Sequence, residues 1–453
     1  MADSNRKQES GGAQDDGDDM QEPGEMMLNH PLKELWIQYG IISLGIWLVF
    51  APTAHGYESA LMTWNDVVAG LVLVALGVVT IWRKNPWASY ASGGVGVWLL
   101  LAPLVFHAPT AAAYLNDTLV GILVIMFSII IMMRMRMDGA AVPSGWSYNP
   151  STAAQRFPLI ALGMFGFFAS QYMAAYQLGY IDYVWDPFFG DGTVQILDSR
   201  VSEAFPVSDA GLGAVAYAIE ALMGFMGGRS RWRTMPWMVT FFGIVVIPLG
   251  FVQVLLVITQ PVLVGTWCTL CLLSAFGMLW MISLTVDEVV AMVQLLDRRT
   301  DEDASLWHAF WMGGHLSEAD AGLNGDTRSE RNRPAGMFWG ISIPWYLLAS
   351  MAVGFWLMLS PTVFDTGGLL ADSSHLAGAL VVSIAVIATG EPARALRFVN
   401  IPLGAWIAVA PWLFGAPTLA TWSGVVAGVL LILLSIPRGQ IRDQYGFWQE
   451  YIV

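Results

Sequence analysis

Trp267-Cys268-Thr269-Leu270-Cys271-Leu272-Leu273-Ser274-Ala275-Phe276-Gly277-Met278-Leu279-Trp280-Met281-Ile282-Ser283-Leu284-Thr285 carries two readings at once. The apolar run 263–285 is long enough to cross roughly 30 Å of hydrocarbon as a helix. Its opening C-x-x-C holds the 2 cysteines of the chain, Cys268 and Cys271. Thiols at that spacing lie one helical turn apart, within reach of a small-loop disulfide. At a helix start they also meet the positive end of the helix dipole, which favours the nucleophilic thiolate. The spacing therefore points to a redox pair at a membrane boundary. The plain alternative is two small apolar residues that happen to lie three apart. A structural zinc site needs four ligands, and no second cysteine pair or nearby histidine pair exists, so no metal is expected.

Composition extends the membrane reading to the whole chain. The 453 residues are 56% hydrophobic and 12% charged, with 21 tryptophans, against about 25% charged residues in soluble proteins. Twelve apolar spans are expected, at 37–53, 66–82, 88–106, 117–133, 157–178, 209–227, 236–258, 263–285, 337–360, 374–390, 396–414 and 420–436. The fold class is all-α, a polytopic membrane protein. Residues 1–32 are polar, acidic and Gly-rich without an apolar signal core, and are expected to form a disordered tail. Nucleic-acid binding is not indicated, because the basic residues are few and follow topology.

That topology is one-sided. Of 21 Lys and Arg, only Arg200 falls in a loop after an odd-numbered span. Arg83, Lys84, Arg134, Arg136, Arg156, Arg229, Arg231, Arg233, Arg394, Arg397, Arg438 and Arg442 all follow even-numbered spans. Basic loops stay cytoplasmic, so both termini are expected there and the C-x-x-C at the outer face. In a bacterial inner membrane that is the side where disulfides persist.

A second pattern is an internal repeat. Gly45-Ile-Trp47-Leu-Val-Phe-Ala51-Pro52 returns as Gly96-Val-Trp98-Leu-Leu-Leu-Ala102-Pro103. It returns again as Gly354-Phe-Trp356-Leu-Met-Leu-Ser360-Pro361 and Gly404-Ala-Trp406-Ile-Ala-Val-Ala410-Pro411. The return helices also match, as Trp64-Asn-Asp-Val-Val-Ala-Gly70 against Trp422-Ser-Gly-Val-Val-Ala-Gly428. Proline is expected to stop each outgoing helix, tryptophan to sit in the aromatic belt and the small residues to allow close packing. These copies resemble the SPW repeat of bacterial integral membrane proteins, whose default reading is a scaffold. Two repeats precede residue 139 and two follow residue 335, as a four-repeat bundle with a domain inserted at its middle.

The insertion has one span, a polar loop of about 30 residues, then three spans with the C-x-x-C opening the last. With Phe205-Pro206-Val-Ser208 leading into Gly213-x-x-x-Tyr217, Leu222 and Gly224, it resembles the vitamin K epoxide reductase family. That family is a four-helix bundle moving electrons between thiols and a quinone. The resemblance implies that Cys271 meets the quinone (ubiquinone or menaquinone) and that Cys268 exchanges with an external thiol. Asp209 falls where a polar side chain hydrogen-bonds a quinone carbonyl, and Tyr217 and Ser274 are further candidates for that task. Asp209 is equally suited to cap its helix, and Tyr217 to simple packing. Glu220, mid-span, must be protonated, paired or facing a polar cavity. The domains expected are 1–32 tail, 33–138 repeats, 139–300 redox domain, 301–335 cytoplasmic linker and 336–453 repeats.

Two departures from the family stand out. Residues 180–208 carry no cysteine, Asp198-Ser-Arg-Val201 resembling a Cys-Ser-x-Val segment that has lost its own. Ala275 stands where the animal members have a tyrosine. Without a relay pair, Cys268 is expected to be accessible to an outside donor, a small dithiol or a thioredoxin-like protein. The function expected is a thiol–quinone oxidoreductase embedded in membrane lipid. The alternative is a non-catalytic scaffold or quinone-binding module. His55, His107 and His375, near Glu58, Asp66, Asp117 and Asp372, are expected as solvated loop residues rather than a metal site. Segment 286–299, apolar at helical spacing, is expected to extend span 8 or lie along the interface.

Overall fold

The structure, a computed structural model, describes residues 31–83, 87–134, 142–301, 306–313 and 335–452. The tail at 1–30 and most of the linker 301–335 lie outside the described residues. The regular elements among the described residues are helices, with two isolated β-bridges, Trp146–Tyr445 and Ile341–Gly390. Among the described residues, eleven helices are long and apolar enough to span a membrane. The remaining expected span, 209–227, forms a 17-residue helix, Asp209–Phe225, about 26 Å long. It is closed early because Met226 leaves the helical conformation. The protein is a multi-pass membrane protein.

The first repeats form hairpins α1 (Pro31–Ala54) with α2 (Ala60–Arg83), and α3 (Trp87–Val105) with α4 (Ala111–Arg134). The insertion contributes α5 (Ala153–Gln177), a short α6 (Gly192–Leu197), α7 (Asp209–Phe225), α8 (Pro236–Thr259) and α9 (Thr269–Asp301). The last repeats supply α10 (Trp345–Val363), α11 (Leu369–Ile387), α12 (Asn400–Leu413) and α13 (Thr418–Ser435). Segment 286–299 continues α9 without a break, making a helix of 33 residues.

The repeat motif works as a packing device. A Cβ on Gly45 would lie 2.7 Å from the Gly70 carbonyl oxygen, and one on Gly70 2.4 Å from that of Gly45. Gly96 with Gly121, Gly354 with Gly378 and Gly404 with Gly428 repeat the contact, so each hairpin closes on its glycines. The prolines do not stop the outgoing helices, contrary to expectation. Pro52, Pro103, Pro361 and Pro411 lie inside the last turn. Each proline carbonyl accepts the N–H five residues on, from Tyr57, Ala108, Thr366 or Ala416, at 2.9 Å. The left-handed residue just before that donor is Gly56, His107, Asp365 or Gly415, which gives four helix ends of the Schellman type.

Each tryptophan also crosses to the neighbouring repeat. Trp47 Nε1 donates to Asn116 Oδ1 at 2.7 Å and Trp98 Nε1 to Asn65 Oδ1 at 2.8 Å. In the second half Trp356 donates to Ser423 Oγ and Trp406 to Ser373 Oγ. Every pair of repeats is thus a pseudo-two-fold unit with its own core, around Ile41, Leu73 and Val124 in one and Leu357, Val381 and Leu431 in the other. The inserted helices lie between the two units. α7 packs on α3 and α4, while α8 and α9 pack on α11.

Many basic residues used as topology markers are buried. Arg156 Nη1 donates to the carbonyls of Gly224, Met226 and Gly227 at the end of α7, where a cation meets the negative end of the dipole. Arg231, Arg394 and Arg397 are also buried. Glu391 accepts from the backbone N–H of Arg442 and Asp443 and from the Tyr445 hydroxyl. Tyr148 donates to Asp287. Trp146, Tyr148, Trp232 and Tyr445 complete a core that ties the C-terminal segment to the insertion at the basic end of the molecule.

Candidate active site

The C-x-x-C lies at the opposite end, where α9 begins. Cys268 and Cys271 form a disulfide with Cα atoms 5.3 Å apart. The backbone around it is held from three sides. Gln260, from the π-helical turn after α8, accepts the Cys268 N–H at 3.1 Å. Met173 of α5 places its sulfur against both cysteines. Asp186, in the loop after α5, accepts the Thr269 N–H at 3.1 Å and the hydroxyls of Thr269 and Thr193.

Asp186 is a residue that sequence reasoning missed. Burial alone would raise its carboxyl, but hydrogen bonds from Thr193, Thr269 and the Phe189 backbone outweigh that and hold it below the usual carboxylate range. Its anion therefore sits on the N-terminus of α9 and offsets part of the dipole field expected to favour a thiolate. Asp186 also seats α6 on the disulfide. Gly192 makes this approach possible, since a Cβ there would lie 2.2 Å from the Trp267 carbonyl oxygen. A depressed carboxyl stabilises the fold above its unfolded pKa and loses that contribution as the pH falls below about 4. Asp186→Ala should unseat α6 and expose Cys268. The check is the rate of labelling of the reduced protein with a membrane-impermeant thiol reagent, expected to rise at least about tenfold, an unseating of ~1.4 kcal/mol.

The two cysteines face different surroundings. Cys268 is 0% exposed, enclosed by Met173, Ala174, Val184, Leu197 and Ala210. The expectation of an accessible Cys268 is not met, because α6 and the loop close over it. Cys271 instead lines a cavity of about 380 Å³ bounded by α5, α7, α8, α9 and residues 196–205. Its walls are mainly apolar, including Leu197, Leu212, Leu249, Val252 and Leu256. Such a cavity is of a size and character to take an apolar ring with a few polar contacts.

Ser274 lines the cavity one turn beyond Cys271, and its buried Oγ has no hydrogen-bond partner. Asp209 also lines it, accepting from Gln177 Nε2 at 2.6 Å and Ser202 Oγ at 2.8 Å. Asp209 is not the N-cap. That role falls to Ser208, whose Oγ accepts the Gly211 N–H at 2.9 Å, and Asp209 is the first helical residue. Tyr217 does not line the cavity. It is buried between α7 and α9, and its hydroxyl donates to the Ser274 carbonyl at 2.9 Å, so it positions Ser274. Glu220 lies fully buried away from the cavity, and neither carboxyl oxygen has a partner.

Gln253 and Gln260 also line the cavity, with Ser170, Ser199, Ser202 and Thr259. A glutamine within the apolar stretch of α8 was a signal for Gln253, since polar side chains inside a span seldom face lipid. Asp198 accepts from the Tyr176 hydroxyl at 3.0 Å.

Residues 157–286 match the Vitamin K epoxide reductase family. Residues 35–131 and 344–437 match the SPW repeat domain, so the redox-family segment lies between two SPW segments. No curated protein and no solved structure matches the chain.

Proposed function

We propose that this chain, a Vitamin K epoxide reductase family domain set between SPW segments, is a membrane thiol–quinone oxidoreductase. The observation that carries the reading is that Cys271 and the unpartnered Ser274 hydroxyl open, one turn apart, on a single apolar cavity. The quinone, ubiquinone or menaquinone, is the acceptor of two electrons and two protons. When α6 and its loop lift, a donor thiolate attacks Cys268 Sγ, breaking the Cys268–Cys271 bond and releasing Cys271 as a thiolate. The second donor thiol then closes the donor's own disulfide and leaves Cys268 reduced. The dithiol so formed passes its two electrons and two protons to the quinone, and the Cys268–Cys271 bond re-forms.

The residues present fit that acceptor. Ser274 Oγ is placed to donate to a carbonyl oxygen, and Asp209 to accept from a hydroxyl of the reduced ring. Tyr217 acts through Ser274. In proteoliposomes supplied with a dithiol and a short-chain quinone, quinone reduction should be catalytic. Ser274→Ala should raise the quinone KM about fivefold, the worth of one hydrogen bond of ~1 kcal/mol, with the thiol KM unchanged. Absence of quinone reduction with either quinone would overturn the reading.

The sealed Cys268 and the cysteine-free loop 180–208 favour a second reading, a quinone-binding module without turnover. A quinone that quenches tryptophan fluorescence but never reoxidises the thiols supports it.

The proposed setting is a bacterial inner membrane, with both termini cytoplasmic and the disulfide end outside. Support comes from Arg200 being the only basic residue in the loops after odd-numbered spans. Reporter fusions at 228–230 should be cytoplasmic and those at 180–208 external. External labelling at 228–230 would invert the topology and remove the oxidising compartment from the account.

A further inference from the structure

The first repeat pair buries two carboxyls that the redox reading does not use. Asp66 of α2 and Asp117 of α4 were expected among solvated loop residues, yet both are 0% exposed. The crossed tryptophans explain why. Trp98 fixes Asn65, whose Nδ2 donates to Asp66 Oδ1 at 3.0 Å, and Trp47 fixes Asn116, whose Nδ2 donates to Asp117 Oδ1 at 3.2 Å. Pseudo-two-fold symmetry thus brings the two carboxyls within hydrogen-bonding reach of one another. The remaining oxygen of each, Oδ2, is buried and has no partner.

Other groups around the pair come from the turn between α1 and α2. Tyr57 lies against both carboxyls with its buried hydroxyl beside Asp66, and its ring stacks on His55, which acts on Asp66. From α1 and α3, the indoles of Trp47 and Trp98 are spent on the asparagines. The second repeat pair keeps the same frame with Ser374 and Gly424 at the aligned positions. A small hydroxyl-lined cavity of about 30 Å³ lies there. The frame therefore stands without carboxyls, and their presence in the first pair is not a packing requirement.

We propose that Asp66 and Asp117 hold one proton between them, making the first repeat pair a proton-binding site that opens toward solvent through Tyr57 and His55. Two adjacent buried anions repel, whereas one shared proton joins the two carboxyls in a hydrogen bond. The site stands independently of the redox reading.

The test is infrared spectroscopy of the full protein in lipid, with carboxyl-labelled ¹³C-aspartate to exclude Glu220. Compared with Asp66→Asn/Asp117→Asn, the wild type should show one additional protonated carboxyl, shifting in D₂O, and one additional carboxylate. Asp66→Asn alone should abolish the protonated band, because the carboxamide donates to Asp117 in its place. Asp66→Ser/Asp117→Gly, the pairing already found in the second half, serves as the reference if the double asparagine variant does not fold. Two additional carboxylates and no protonated band would overturn the proposal. So would a protonated band that appears only when sodium is withdrawn, which would make the site a cation site.

Discussion

Cys271→Ser abolishes quinone-linked turnover, a loss of at least about 10³-fold, the scale seen when a covalent catalytic group is removed. Cys268→Ser also stops turnover, but the two variants differ in what they trap. With Cys271 absent, a donor attached to Cys268 has no resolving thiol beside it, so the mixed disulfide persists and can be recovered on a non-reducing gel. With Cys268 absent, Cys271 remains open to the cavity, so the variant still binds quinone but captures no donor. Because Cys268 is enclosed, capture should be slow and should quicken in Asp186→Ala/Cys271→Ser. Full activity in either single variant would remove the disulfide from the account.

Glu288→Ala destabilises the protein by about 3–5 kcal/mol, the usual cost of leaving one member of a buried ion pair alone. Arg231 donates to Glu288 through Nε and Nη2 at 2.5 Å and to the carbonyls of Met223 and Met226 through Nη1. The side chains are 0% and 3% exposed. Removing the carboxylate strands a guanidinium where α7, α9 and the Arg231–Thr234 turn meet, and Ser151 loses its acceptor as well. Arg231→Met/Glu288→Leu, which removes both charges, should cost much less. Thermal unfolding in detergent measures both, and a change below about 0.5 kcal/mol in Glu288→Ala, within the range of an ordinary surface substitution, would show the network to be dispensable.

The helices were legible because span length answers to the bilayer alone. Cys271 and Ser274 line one cavity, as a spacing of three on one helix allows. What escaped depends on partners far away in sequence. Ser208 and Asp209 are both capping types, and only the Gly211 contact decides between them. Asp186 has no spacing signal, because its target, Thr269, belongs to another helix. Asp66 and Asp117 fall at the starts of spans, where a solvated position is the natural expectation. Their burial follows from the crossing tryptophans, a consequence of how two repeats pair. Proline ended no helix because its carbonyl could still close a Schellman turn.

The central claim is that electrons pass from the C-x-x-C into the cavity that Cys271 lines. Its most direct measurement is a single-turnover experiment on the purified, pre-reduced protein in lipid, with free thiols counted after addition of one equivalent of ubiquinone or menaquinone without oxygen. The account predicts the loss of two thiols per quinone reduced, with no loss in Cys271→Ser. Thiols that stay reduced while the quinone stays oxidised would contradict it.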